Sequence, residues 1–166
     1  MTYNKPGAAW GSLFGATEAF RSHPHRGADL LYQEGAIISF PTDAQVSEVF
    51  WSDVLGWTVE IIDQEKTYIQ FSHLQEKPKS YHSGDQVKAG RPLGRCGNTG
   101  SASTGAHCHV AMSKRPHPHL VDQKHLIDPK EYWEAHEVSG TPVLEKGIKP
   151  SNPGSKPKRP SSPRNK

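Results

Sequence analysis

His25 and Asp29 in the run His25-Arg26-Gly27-Ala28-Asp29, and His107 and His109 in His107-Cys108-His109, are residues whose types and spacing can hold a metal ion. Val110 and Ala111 follow the second pair, as on a β-strand. Alternate strand residues share a face, so His107 and His109 project one way and Cys108 the other. Two imidazoles on one face, joined by a distant histidine and carboxylate, suit zinc. That ion takes nitrogen and oxygen ligands, and a catalytic site uses three of them and leaves a fourth position for water. Among ten histidines a single His-x-His spacing arises by chance about as often as not. The combination of four positions is far harder to reach by accident. Spacing does not choose which of His107 and His109 ligates.

Further motifs follow in order. His25-x-x-x-Asp29, Ser72-His73-Leu74, Gly97-Asn98-Thr99-Gly100 and His107-x-His109 are flanked by Phe14-Gly15, Arg21, His23-Pro24 and Gly27. Gly84-Asp85-Gln86-Val87-Lys88-Ala89-Gly90 reads as a turn and strand entry, and Asp128-Pro129 closes the series. Over roughly residues 8–135 the chain resembles the M23 family of zinc metallopeptidases, of the lysostaphin and LytM type, which cut peptide bonds in bacterial peptidoglycan.

The resemblance implies an all-β fold, a two-layer antiparallel β-sandwich with an open substrate groove over the larger sheet. It implies one zinc ion per chain held by His25, Asp29 and His109, with His73 and His107 as catalytic, non-ligand histidines. One of these would take a proton from the attacking water, and either could steady the oxyanion or protonate the leaving amine. Some family members carry a tyrosine shortly before the first ligand. Ala19 and Phe20 stand there in this chain, so Tyr81, Tyr32 or no tyrosine takes that part. Asn98 and Thr99 read first as a turn, because the flanking glycines tolerate positive φ; their functional reading is a groove wall that binds the substrate peptide.

Two other classes compete with an active, monomeric endopeptidase. A catalytically silent relative that binds the wall or activates an amidase usually lacks ligands or catalytic histidines, and here all five positions are filled. A metal-stabilised structural domain would close its site with four protein ligands, often cysteines. Cys96 and Cys108 do not fit that role. They form no Cys-x-x-Cys pair, and two buried thiols are expected rather than a bridge. The remaining histidines, His23, His82, His117, His119, His125 and His136, read as bystanders; His117 and His119 flank Pro118 as surface residues.

The site needs strands to position it. Ala36–Phe40, Ala44–Trp51, Trp57–Ile62, Thr67–Phe71, Arg91–Cys96 and His109–Met112 read as strands between glycine and proline breaks. In the second of these, Val46, Glu48 and Phe50 alternate imperfectly with Ser47, Val49 and Trp51. A helical turn is expected only around Lys130–His136.

With 166 residues and 33% hydrophobic content, one domain is expected at 1–140, followed by a basic tail at 141–166. The tail holds six prolines and seven Lys or Arg against the single acid Glu145, and it should be disordered by itself. Residues 1–140 hold 13 basic and 16 acidic groups, so the net +3 belongs to the tail. Such a segment suits anionic wall polymers or a membrane surface. Nucleic acid is not expected as a partner, since no aromatic residue is interleaved for base stacking. No apolar run spans a bilayer, and Met1–Gly7 shows no secretory h-region. Extracytoplasmic action would then fit a phage endolysin, made in host cytoplasm and released by a holin-type route.

Overall fold

Antiparallel pairing dominates the chain, because its apolar residues recur with the two-residue period of half-buried strands rather than the helical one. The computed structural model describes residues 1–137; the basic segment expected at 141–166 lies outside them. Among the described residues nine strands form: β1 (Ala28–Leu30), β2 (Ile37–Ser39), β3 (Ala44–Ser52), β4 (Gly56–Ile62), β5 (Tyr68–Leu74), β6 (Gln86–Val87), β7 (Pro92–Arg95), β8 (Cys108–Ser113) and β9 (Leu126–Ile127). Two 3-10 turns, Pro118–Leu120 and Gln123–His125, precede β9, and the helix α1 (Pro129–His136) follows it.

The larger sheet has the order β1-β8-β5-β4-β3-β6, with β9 added beside β8. A two-stranded ribbon of β2 and β7 makes the second layer. Val59, Ile61, Ile69, Phe71, Val110 and Met112 on one sheet face pack with Ile38, Phe40 and Leu93 of the ribbon side in one core. Tyr3 and Trp133 of α1 join it, their rings 5.4 Å apart and edge to face. Cys96 and Cys108 are buried there as free thiols. The all-β, antiparallel architecture expected from the sequence is the one observed.

Two β-bulges set what the opposite face of the sheet presents. The register of β3 on β4 shifts between Val46 and Glu48, so Val46 turns into the core and Val49 also packs against it. This extra residue accounts for the imperfect alternation along β3. On β5, Leu74 pairs with Trp57 and Phe71 with Val59, which leaves Ser72 and His73 opposite Thr58. His73 takes a left-handed backbone, φ 65°, which a non-glycine residue rarely adopts. Strict alternation would send Leu74 away from the core face of Phe71 and His73 to that face. The bulge turns it to the face of Ser72 instead.

Candidate active site

Asp29 on β1 and His109 on β8 are direct cross-strand partners, and Ser72 on β5 pairs with His109 from the other side. Side chains directly opposite on adjacent strands share a face, so this register brings the carboxylate against the imidazole. His25 arrives from the loop before β1. Its Nε2 lies 3.1 Å from His109 Nδ1 and 3.3 Å from Asp29 Oδ1, and His109 Nδ1 lies 3.2 Å from Asp29 Oδ1. An ion bound tetrahedrally at 2.0–2.1 Å would set its donors about 3.3 Å apart. The three observed separations are close to those of such a face, and these residues form a group able to hold a divalent ion.

The loop backbone fixes the tautomer of His25. Its Nδ1 faces the Leu13 carbonyl at 3.2 Å, so Nδ1–H donates and the Nε2 lone pair is turned to the cluster. Ser12 Oγ stands 3.2 Å from the same nitrogen, donates to Glu18 Oε2 at 2.7 Å and accepts from Arg21 Nη2 at 3.0 Å. Arg21 also pairs with Glu18 through its Nε. Outer partners of this kind orient a ligating imidazole.

Gly27 explains how His109 is held. A Cβ there would stand 2.2 Å from the Val110 carbonyl oxygen and 2.8 Å from the His109 ring. Only a residue without a side chain lets β1 approach β8 this closely. Burial opposes ionisation of Asp29, but the His109 and His25 rings beside it outweigh that and hold the carboxyl well below the usual carboxylate range. Burial likewise pushes His109 down, against the pull of Asp29. A neutral imidazole beside an ionised carboxylate is the state a cation requires of its ligands.

His73 and His107 flank this group. Their rings are 4.8 Å apart, and His73 is 6.0 Å from the His109 ring. His73 Nδ1–H donates to the Thr99 carbonyl at 2.7 Å, and His107 Nδ1–H donates to the Gly105 carbonyl at 2.7 Å. Each Nε2 is thereby left as an acceptor, and that of His107 stands 3.7 Å from Asp29 Oδ1. Burial first, and repulsion from His109 second, lower the His73 pKa to about 4. Both histidines can exchange a proton through Nε2 without giving up the bond that orients the ring.

The structure thus brings His25, Asp29, His73, His107 and His109 together. Thr99 is close to them through its backbone. Its Oγ1 donates to the Leu74 carbonyl at 2.6 Å and accepts the Trp57 N–H at 3.2 Å, while its carbonyl holds His73. Asn98 is exposed at the rim and accepts a 2.5 Å bond from Ser103 Oγ. Ser12 and Glu18 were not anticipated. They lie in a loop with no periodicity, and only the nearby Arg21 carried a sequence signal. His117, read as a surface bystander, is half-exposed and faces Glu48 and Glu60.

An all-β sheet with a His, Asp and His group on its open face, flanked by two further imidazoles, has the form of a metal-dependent hydrolase. Peptidase family M23 is matched over residues 23–129, and the chain belongs to that family. The L-Ala–D-Glu endopeptidase of Bacillus subtilis (strain 168) is 28% identical over 111 residues, which cover 58% of this chain and 34% of that enzyme. The chain therefore spans about a third of that relative's length. The catalytic domain of lysostaphin, the antimicrobial peptidase of Staphylococcus simulans, superposes with a TM-score of 0.65 at 22% identity, covering 76% of this chain and 92% of that one. The structure of LytU gives a TM-score of 0.64 at 28% identity, over 78% of this chain and 86% of the other.

Proposed function

We propose that this domain is a zinc endopeptidase that hydrolyses peptide bonds of bacterial peptidoglycan, with one ion on His25, Asp29 and His109. The observation that carries this reading is the pair of imidazoles at the edge of the three-ligand group, each with Nδ1 committed to a carbonyl and Nε2 free. A structural metal needs no such neighbours. Zinc held there would polarise a scissile carbonyl and make a water more acidic. His73 and His107 would hold and move protons at their Nε2 atoms, one receiving from the attacking water and one serving the departing amine. Asn98, at the exposed rim, would touch the substrate peptide, and Thr99 would keep His73 in place.

The endopeptidase activity named for the Bacillus relative supports a peptide of the wall as substrate. The catalytically silent alternative is disfavoured because no ligand or flanking histidine is missing. The domain is taken to act as a monomer outside the cytoplasm, with the cationic segment 141–166 drawing it to anionic wall polymers. Loss of turbidity of purified cell walls, with zinc-stripped protein as control, tests the activity. New free amino groups must appear with the clearing, and clearing without them would contradict peptide hydrolysis.

A further inference from the structure

β1 ends the strand order of the larger sheet, and the segment 11–16 runs along its outer side. The Gly11 N–H donates to the Asp29 carbonyl at 2.8 Å, and the Asp29 N–H donates to the Ser12 carbonyl at 2.9 Å. The Gly15 N–H donates to the His25 carbonyl at 2.8 Å, and the His25 N–H donates to the Ala16 carbonyl at 2.9 Å. One short stretch thus holds the backbones of two residues of the metal group. Ser12 touches both of them, with its carbonyl on Asp29 and its hydroxyl beside His25.

The polarity of that hydroxyl follows from its other partners. Arg21 first, and Ser12 second, hold the Glu18 carboxyl below its ordinary value. An ionised carboxylate only accepts, so the single hydroxyl proton of Ser12 goes to Glu18 Oε2 at 2.7 Å. Two lone pairs remain on the oxygen. Arg21 Nη2 fills one at 3.0 Å, and the other is left for His25 Nδ1 at 3.2 Å. Ser12 can therefore only accept from the ring. The Leu13 carbonyl makes the same demand of Nδ1, and both leave the Nε2 lone pair for a metal.

We propose that Glu18 is a positioning residue of the metal group, acting on His25 through the Ser12 hydroxyl. Its negative charge, relayed by the hydroxyl, strengthens the bond from Nδ1–H and makes Nε2 a better ligand, as outer carboxylates do. Arg21 pairs with Glu18 through its Nε and fixes which oxygen is turned to Ser12. This role rests on the reading of His25 as a zinc ligand.

The test is Glu18→Gln in the full chain, which keeps the shape of the side chain and removes its charge. The amide oxygen stays on Arg21 Nε, so the amide nitrogen turns to Ser12 and donates to it. Both lone pairs of Ser12 are then filled, and its proton is left to point at His25, against Nδ1–H. Zinc affinity, read by competition with a chelating dye, should fall about tenfold in Glu18→Gln and about 10–100-fold in Ser12→Ala. Metal-free Glu18→Gln should melt at the wild-type temperature. At about pH 8, above the ordinary imidazole range, ring-nitrogen NMR shifts of the metal-free chain should show His25 protonated on Nδ1. In Glu18→Gln the population should move toward Nε2–H. Wild-type zinc affinity in Glu18→Gln, or an unchanged ring tautomer, would overturn the proposal and leave the network as loop packing. A wild type without zinc, or a His25→Ala protein that keeps it, would contradict the ligand reading instead, and the ring tautomer would still decide the relay.

Discussion

His109 Nδ1 and Asp29 Oδ1 lie 3.2 Å apart because their backbones are paired residue for residue between β8 and β1. The carboxylate and the imidazole are thus positioned by the sheet itself, and only His25 depends on a loop. A one-residue slip of β1 would turn Asp29 to the other face.

Gly27→Ala tests this dependence on register without replacing a ligand. The added methyl meets the Val110 carbonyl and the His109 ring, and both must move. Zinc affinity should fall about 10–100-fold, as when support of a ligand is lost, and the melting temperature should drop. Unchanged zinc affinity, measured by competition with a chelating dye, would show that β1 has room to adjust.

His73→Ala and His107→Ala should keep the zinc and the fold and lose roughly 10²–10³-fold in kcat on wall peptides. Circular dichroism and metal content report the first part, and amine release reports the second. A wild-type rate in either variant removes that histidine from the chemistry.

The metal-free protein should lose stability in mild acid. Burial and His109 depress folded His73 to about 4, whereas the unfolded imidazole titrates near 6.5. Between those values the unfolded state binds the additional proton. The contribution is therefore full above pH ~6.5 and is lost as the pH falls toward 4, by roughly 3 kcal/mol at most. Urea unfolding of metal-free wild type and His73→Gln at pH 7 and 4.5 should show a smaller decrease in the variant. Equal decreases would assign the acid sensitivity to other groups.

Removing residues 141–166 should leave cleavage of soluble wall peptides within about twofold and weaken adsorption to whole walls, most strongly at low salt. Exposed charges are screened beyond about 8 Å at physiological ionic strength. Adsorption that is the same with and without the segment at low salt would exclude an electrostatic role.

Much of this site was legible from residue order. His-x-His on a strand, the upstream His and Asp, and Ser72-His73-Leu74 marked all five positions that the fold assembles. Strand alternation put His107 and His109 on one face but could not separate their parts; that distinction came from the family resemblance. The bulges were less visible. At β3 the broken alternation of Val46, Glu48 and Val49 was a readable trace of one. At His73 nothing in the sequence marked the left-handed backbone, because a bulge is a property of the pairing with Thr58 and not of β5 itself. The bonds to Leu13, Thr99 and Gly105 are backbone carbonyls and leave no residue signature. Glu48 and Glu60 lie too far apart in sequence for their cross-strand pairing to be foreseen.

The most direct measurement is zinc content and peptide-bond cleavage on the same preparations of wild type, His25→Ala, Asp29→Ala, His109→Ala and His107→Ala, after dialysis against metal-free buffer. Expected is about one tightly held zinc and active cleavage in wild type. The first three variants should lose both, since two remaining donors cannot retain the ion, and His107→Ala should be metallated but inactive. A His109→Ala protein that keeps its zinc while His107→Ala loses it, or a zinc-loaded wild type that releases no peptide amine from any wall, would contradict the assignment.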